Sequence, residues 1–127
     1  MEDLILSIEQ CKHLKELGID MSDAKLCWTI YKMESGDDIT CIQALTSVAI
    51  IKPENVIPTY TLQEIWRKLP EYIIEDKSVY WKELTSNAVS YTDLDGNIHK
   101  TSCNDTEINN TYKMLCWIIE NGYFKNK

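Results

Sequence analysis

The side chains in this sequence that could do chemistry are five cysteines and two histidines. A catalytic Cys–His pair needs hydrogen-bond reach, about 3 Å between the sulfur and a ring nitrogen. His99 and Cys103 would share one face of a strand, but four residues along a strand span roughly 13 Å. His13 and Cys11 are about 200° apart on a helix. Neither pair predicts a thiol active site, so a dyad would have to be assembled from distant segments.

Metal and phosphate sites also lack their usual sequence patterns. The cysteines have no C-x-x-C spacing of the kind that holds zinc. The stretch "DLDGN" begins like a calcium loop at Asp93, but Ile98 and Asn104 stand where that loop needs Gly and Glu. Glycine-rich phosphate loops and the common hydrolase motifs are absent from the sequence. We therefore predict no catalytic residue, no metal site and no cofactor.

Composition and charge narrow the function classes. The chain has 127 residues, a net charge of −7 and 44% hydrophobic residues, which predicts a single globular domain over residues 1–127. An acidic balance repels phosphate backbones, so we expect no nucleic-acid partner. No apolar stretch approaches the roughly 20 residues that cross a bilayer. The acidic start of the chain does not read as a signal peptide. We therefore expect a cytoplasmic protein with reduced thiols and no membrane contact.

Residues typical of helix starts and stops predict three helices. Each start pairs a capping side chain with Glu or Gln three residues later, and each stop is a Gly or Pro. The start and stop positions are Ser7 to Gly18, Thr61 to Pro70, and Asn104 to Gly122.

Alternating apolar residues predict the strands, which are Lys25–Met33, Ile39–Gln43, Val79–Thr85, Ala88–Tyr91 and Ile98–Cys103. Asp95–Gly96 is a strong hairpin signal between the last two. Residues 44–60 are ambiguous, because "SVAII" could be a strand while Pro53 and Pro58 predict a loop. The sequence therefore predicts an α+β fold. Its antiparallel sheet has about five strands, as two hairpins or a hairpin plus meander, with three helices packed on it.

The predicted core combines the apolar sides of these elements: Leu14, Leu17, Trp28, Ile30, Ile65, Trp66, Leu69, Tyr112, Leu115 and Ile119. The last helix is apolar nearly all round, with a stripe formed by Ile108, Tyr112, Leu115 and Ile119. Trp117 points away from that stripe. Either Trp117 is buried because the helix is covered on both sides, or it is an exposed anchor for a partner. We expect burial, and we name Trp117 and Tyr123 as the candidate partner-binding residues.

Three stretches together resemble a family of small proteins from phages and prophages of gut anaerobic bacteria. They are "LSIEQCKHLKELGIDMSDAKLCW", "PTYTLQEIWRKLP" and "TYKMLCWIIENGY", in the expected order. The family has no assigned activity, so the resemblance carries no functional residue over to this chain. It implies an accessory protein of a mobile element, produced inside a bacterial host cell.

Three functional hypotheses follow. The first is a non-enzymatic module that binds another protein or associates with itself, as the aromatic surplus and missing site chemistry suggest. The second is an acidic decoy or inhibitor of a host nucleic-acid-binding or defence protein. A decoy needs acidic residues in regularly spaced rows, whereas the acids here are spread over helices, turns and loops. The third is a small Cys-dependent enzyme with a site assembled from distant segments.

Overall fold

The computed structural model describes residues 4–45, 55–85 and 87–124. Within them, three helices and seven antiparallel strands form an α+β architecture. The chain divides into two units, Met1–Thr61 and Leu62–Lys127, and each unit has its own sheet.

The first unit contains one helix and a three-stranded antiparallel sheet in the order β2-β1-β3. Its elements are α1 (Ile8–Glu16), β1 (Leu26–Lys32), β2 (Asp38–Ala44) and β3 (Asn55–Thr59). The predicted capping box begins α1, since the side chains of Ser7 and Gln10 each accept a hydrogen bond from the other's backbone N–H. The helix packs on β3 and buries Cys11 and Leu14.

The carbonyl oxygen of Leu6 ties the segment before α1 to the first sheet. The indole Nε1 of Trp28 donates to this oxygen at 2.8 Å, and the hydroxyl of Thr59 donates to it at 3.1 Å. Because Trp28 lies in β1 and Thr59 in β3, one buried carbonyl joins three segments. Because the Leu6 carbonyl satisfies the indole N–H, Trp28 can be half-buried at this position.

The second unit contains two helices and a four-stranded antiparallel sheet in the order β4-β5-β6-β7. Its elements are α2 (Leu62–Lys68), β4 (Tyr72–Glu75), β5 (Ser78–Leu84), β6 (Ala88–Thr92), β7 (Ile98–Cys103) and α3 (Glu107–Glu120). α3 packs on α2, β6 and β7. The helices therefore cover the sheet face that carries the buried side chains of Val89 and Tyr91.

Two tight turns shape this sheet. Asp76 and Lys77 join β4 to β5 with φ angles of 50° and 69°, the left-handed backbone that a two-residue hairpin requires. The predicted hairpin between β6 and β7 is confirmed, with Gly96 at φ 85°. There the carboxylate of Asp93 accepts hydrogen bonds from the backbone N–H groups of Asp95 at 3.0 Å and Asn97 at 2.8 Å.

The strand prediction was incomplete. Instead of one sheet of about five strands, the described residues form one sheet of three strands and one of four. The expected loop around Pro58 contains β3, an edge strand, where a residue without an N–H group is tolerated. β4 was missed because it has only four residues. The "SVAII" segment lies outside the described residues.

The start and buried side of α3 also differ from the prediction. Thr106 is the N-cap, since its side chain accepts a hydrogen bond from the Asn109 N–H, while Asn104 has a left-handed backbone with φ 66°. The buried side includes Thr111 and Met114 rather than being centred on the predicted stripe. Thr111 tolerates burial because its hydroxyl donates to the carbonyl oxygen of Glu107 at 2.7 Å.

The predicted core is confirmed for its four most buried members, Leu14, Ile65, Leu69 and Leu115. The other six are half-buried: Leu17, Trp28, Ile30, Trp66, Tyr112 and Ile119. No helix in the described part of the chain is long and apolar enough to cross a membrane.

Candidate binding surface

The two residues predicted to contact a partner lie side by side in the second unit. The ring centroids of Trp117 and Tyr123 are 5.4 Å apart, and both side chains are half-buried. The ring of Trp117 also meets that of His99 at 5.8 Å, and His99 stacks on Tyr80 at 4.6 Å. We call these four side chains the aromatic row. The structure thus brings Trp117 and Tyr123 together and engages both in contacts within the chain.

Charged groups fasten the aromatic row to the sheet. The ammonium group of Lys100, in β7, lies 5.9 Å from the ring centroid of Trp117, within range of a cation–π attraction. The hydroxyl of Tyr123 donates a hydrogen bond to the carboxylate of Glu75, at the end of β4. This hydrogen bond to a carboxylate, aided by burial, raises the pKa of Tyr123 to about 12. The row therefore connects both edge strands of the second sheet.

The five cysteines are free, and their thiols differ in exposure. Cys11, Cys27 and Cys116 are buried, Cys41 is half-buried and Cys103 is exposed. Loss of solvation on burial raises the pKa of all three buried thiols, which keeps them protonated near neutral pH. Over residues 4–45, 55–85 and 87–124, no group of three or more His, Cys, Asp and Glu side chains is placed to hold a metal ion.

Among the described residues, five exposed apolar side chains lie on one side of the second sheet. We call this group the exposed sheet face; its members are Tyr72, Ile74, Val79, Trp81 and Ile98. In the strand register Tyr72 is opposite Trp81 and Ile74 is opposite Val79, while Trp81 and Ile98 both pair with Thr92. The residues therefore point to the same side of the sheet. Each is between 37% and 60% exposed.

The pair at the centre of this face is in direct ring contact. The centroids of Tyr72 and Trp81 are 5.2 Å apart and the ring planes are inclined by 50°. Directly opposite aromatic residues stabilise an antiparallel pair of strands. Here both side chains also stay nearly half exposed, so a second molecule could cover them without displacing any part of their own strands.

Lys82 explains why Trp81 is turned outward. The ammonium group of Lys82 donates to the carbonyl oxygens of Trp66 at 2.9 Å and Leu69 at 3.2 Å, at the end of α2. It also lies 3.3 Å from the carboxylate of Glu71 and 4.5 Å from the ring centroid of Trp66. The Lys82 side chain is only 6% exposed. Because neighbouring strand residues point to opposite faces, Lys82 facing inward leaves Trp81 facing solvent.

The surroundings of the exposed sheet face are acidic. Glu83 follows Trp81 on the same side of β5, and its carboxylate accepts a hydrogen bond from the Thr92 hydroxyl at 2.9 Å. Asp76 lies in the turn after β4. Asp93 and Asp95 lie in the turn after β6. Lys77 is the exposed cation in these turns of the sheet. The rim thus favours a partner with positive charge.

Strand β4 also presents its backbone at the edge of this sheet. The N–H of Lys82 donates to the carbonyl oxygen of Glu71 at 3.0 Å, so these two residues form a hydrogen-bonded pair. Hydrogen-bonded and non-hydrogen-bonded pairs alternate along antiparallel strands. Tyr72 and Ile74 therefore direct their backbone N–H and C=O groups away from β5. Among the described residues β5 is the one strand that neighbours β4.

The sequence prediction missed this surface, because the alternation in β5 does not show which of its two sides faces the core. In "SVYWKEL", alternation separates Val79, Trp81 and Glu83 from Tyr80, Lys82 and Leu84. Both sets contain an apolar aromatic residue and a charged residue, so hydrophobicity does not decide which faces the core. The decisive interactions, from Lys82 to the carbonyl oxygens of α2, are long-range.

Comparison with known family models, with curated protein sequences and with solved structures finds no match to this chain.

Proposed function

We propose that this chain is a non-enzymatic protein-binding module, an accessory protein of phage or prophage type whose exposed sheet face contacts another protein. The observation that carries the binding role is the registered group of exposed apolar side chains, with Tyr72 opposite Trp81 and Ile74 opposite Val79. The phage context rests on the resemblance of the three sequence stretches.

The proposal is supported by exposed apolar residues that neighbour one another, and not by exposure alone. Single exposed apolar residues are ordinary on protein surfaces. Neighbouring ones are different, because one partner can remove all of them from water together. Trp and Tyr are enriched among the residues that dominate binding energy. We therefore assign Trp81 and Tyr72, whose ring centroids are 5.2 Å apart, as the anchors of the contact.

The aromatic row has a supporting role in this proposal. Trp117 and Tyr123 contact groups at both edges of the sheet, His99 in β7 and Glu75 in β4. Holding these edges would keep the exposed sheet face in one shape, and a preformed surface loses less entropy on binding. Direct contact of Trp117 or Tyr123 with a partner stays a prediction.

The proposal is tested by cross-linking in host cells, followed by binding measurements with the identified partner. A photoreactive residue at Val79 should form a covalent adduct with one protein, whereas the same residue at Ile39, which is exposed on β2, should not. The purified partner should then bind Trp81→Ser at least about 30-fold more weakly than wild type, as expected for an anchor worth about 2 kcal/mol.

The matched control is Ile39→Ser, which removes an exposed apolar side chain from the other sheet. It should bind the partner like wild type. Equal partner binding by wild type, Trp81→Ser and Tyr72→Ser would exclude the exposed sheet face as the contact surface. Circular dichroism of each variant establishes that the fold is retained.

A further inference from the structure

We propose that the partner contributes an extended segment that pairs with the open edge of β4 as a fifth strand and carries Lys or Arg beside its apolar residues. This inference rests on the proposed function, because it specifies how a protein would occupy the exposed sheet face.

The backbone of β4 provides the hydrogen-bonding pattern for an added strand. Tyr72 and Ile74 point their N–H and C=O groups to the open edge, as the Lys82–Glu71 hydrogen bond determines. An incoming segment could therefore bond at two alternate positions. Strand addition of this kind draws its affinity from main-chain hydrogen bonds and its specificity from alternate side chains.

The side chains at the same two positions favour an apolar strand. Tyr72 is 48% exposed and Ile74 is 58% exposed, and both lie on the exposed sheet face. Residues of an added strand would stand opposite them, with alternate side chains on that face. The partner's apolar residues would thus continue the row of Trp81 and Tyr72 by one more strand.

The other edge of this sheet is less suited to strand addition. The pairing of β6 with β7 shifts register between Tyr91 and Thr92. Irregularities of this kind twist an edge strand and are a common protection against further pairing. The pairing of β4 with β5 is regular over all four residues. We therefore assign the added strand to β4.

The carboxylates around β4 favour a basic partner and disfavour a second copy of this chain as the occupant of the edge. Carboxylates flank β4 at both ends: Glu71 precedes it, 78% exposed although 3.3 Å from the ammonium group of Lys82, and Asp76 follows it beside Lys77. Glu83 lies on the face itself. Two copies would bring these carboxylates together and would each carry a net charge of −7. A segment with Lys or Arg flanking its apolar residues meets opposite charge instead.

The probe for this inference is a pair of synthetic peptides, each with alternating Val and Thr. One peptide is flanked by Lys and the other by Glu. Amide-resolved NMR titration of the full chain should show the Lys-flanked peptide binding about tenfold more tightly, because like charges suppress the other complex. The amides of Tyr72 and Ile74 should shift and gain protection from exchange.

Two variants of Ile74 distinguish the contribution of its backbone N–H to binding from that of its side chain. Ile74→Pro removes an edge-facing N–H that β5 does not use, and Ile74→Thr keeps that N–H but removes the apolar surface. Both should weaken peptide binding by at least about fivefold, since strand addition uses both features. Ile74→Pro can distort β4. If this variant misfolds, the test is decided by Ile74→Thr and by the exchange protection of the wild-type amides.

The outcomes distinguish this inference from the proposed function. If the cross-linked partner is lost from Trp81→Ser but binds Ile74→Pro and Ile74→Thr normally, strand addition is wrong and the binding module stands. If Trp81→Ser and Tyr72→Ser also bind normally, the proposed function fails. Concentration-dependent dimers in sedimentation that Trp81→Ser abolishes would make a second copy the occupant and overturn the inference.

Discussion

Trp81 and Lys82 are consecutive residues of β5, yet the indole ring faces solvent while the ammonium group lies against the carbonyl oxygens at the end of α2. This arrangement, with the charged side chain inward and the aromatic ring outward, is stable because two carbonyl oxygens and one carboxylate surround the ammonium group of Lys82. A buried cation is tolerated when its hydrogen bonds are made, and an ammonium group also favours the negative end of a helix. The exposed sheet face therefore results from the way α2 ends.

Lys82→Met should lower the free energy of unfolding by roughly 1–3 kcal/mol, because it leaves the carbonyl oxygens of Trp66 and Leu69 without their donor. Urea denaturation measures the change. The control is Lys77→Met in the β4–β5 turn, where the side chain is exposed and the change should stay within about 0.5 kcal/mol. Equal stability of Lys82→Met and wild type would contradict the role of Lys82 in orienting Trp81 outward.

Leu115→Ala should cost about 2–5 kcal/mol, since the side chain is fully buried in α3. Leu94→Ala makes the same chemical change at a residue that is 93% exposed, and its effect should stay within about 0.5 kcal/mol. Both changes in the free energy of unfolding are measured by denaturant titration, with one common dependence on denaturant concentration. A small effect at Leu115 would contradict its position in the core.

Trp117→Ala should destabilise the second unit by about 1–3 kcal/mol, less than a fully buried Trp would cost, because the ring is half-buried. The double variant with Tyr123→Ala should show a coupling of about 0.5–1.5 kcal/mol, as expected for aromatic rings in contact at 5.4 Å. Unchanged thermal stability together with lost partner binding would instead assign Trp117 to the interface.

The Tyr123 hydroxyl should make stability depend on alkaline pH. Its pKa is about 12 in the folded chain and 10 as the ordinary value, because the hydrogen bond to Glu75 favours the neutral phenol. The contribution is complete below pH 10 and is lost as pH rises from 10 to about 12. The tyrosinate absorbance of wild type minus that of Tyr123→Phe should reveal this titration. Glu75→Gln should move the pKa back towards 10, and an unchanged pKa would contradict the hydrogen bond as its cause.

Local signals in the sequence were sufficient for several elements. Ser7 and Gln10 identify the start of α1, because a capping box is made by residues three positions apart. Asp95 and Gly96 identify the β6–β7 hairpin, because the left-handed backbone of the turn favours Gly. In these cases the interactions that decide the structure lie within a few residues of the signal.

The parts that the sequence did not predict depend on which group each residue pairs with, and hydrophobic periodicity does not reveal that pairing. β3 forms around Pro58 because the paired strand, β1, uses the other side of the backbone. Thr111 is buried because its hydroxyl finds the Glu107 carbonyl. The exposed sheet face follows from Lys82 reaching α2. For Thr111 and Lys82, a polar group that hydrophobicity places outside is accepted inside by a specific partner.

The turn at Asp76 and Lys77 has a consequence for the order in which the second sheet opens. Lys77 holds a left-handed backbone angle without being Gly, Asn or Asp, at a cost of about 1–2 kcal/mol. β4 has four residues and, among the described strands, one neighbour, so few inter-strand hydrogen bonds oppose that cost. We therefore expect the amides of β4 and its turn to exchange before those of β6, which has a neighbouring strand on both sides. An edge strand that opens before its neighbours is also the strand whose backbone a second chain can reach while the rest of the sheet stays closed.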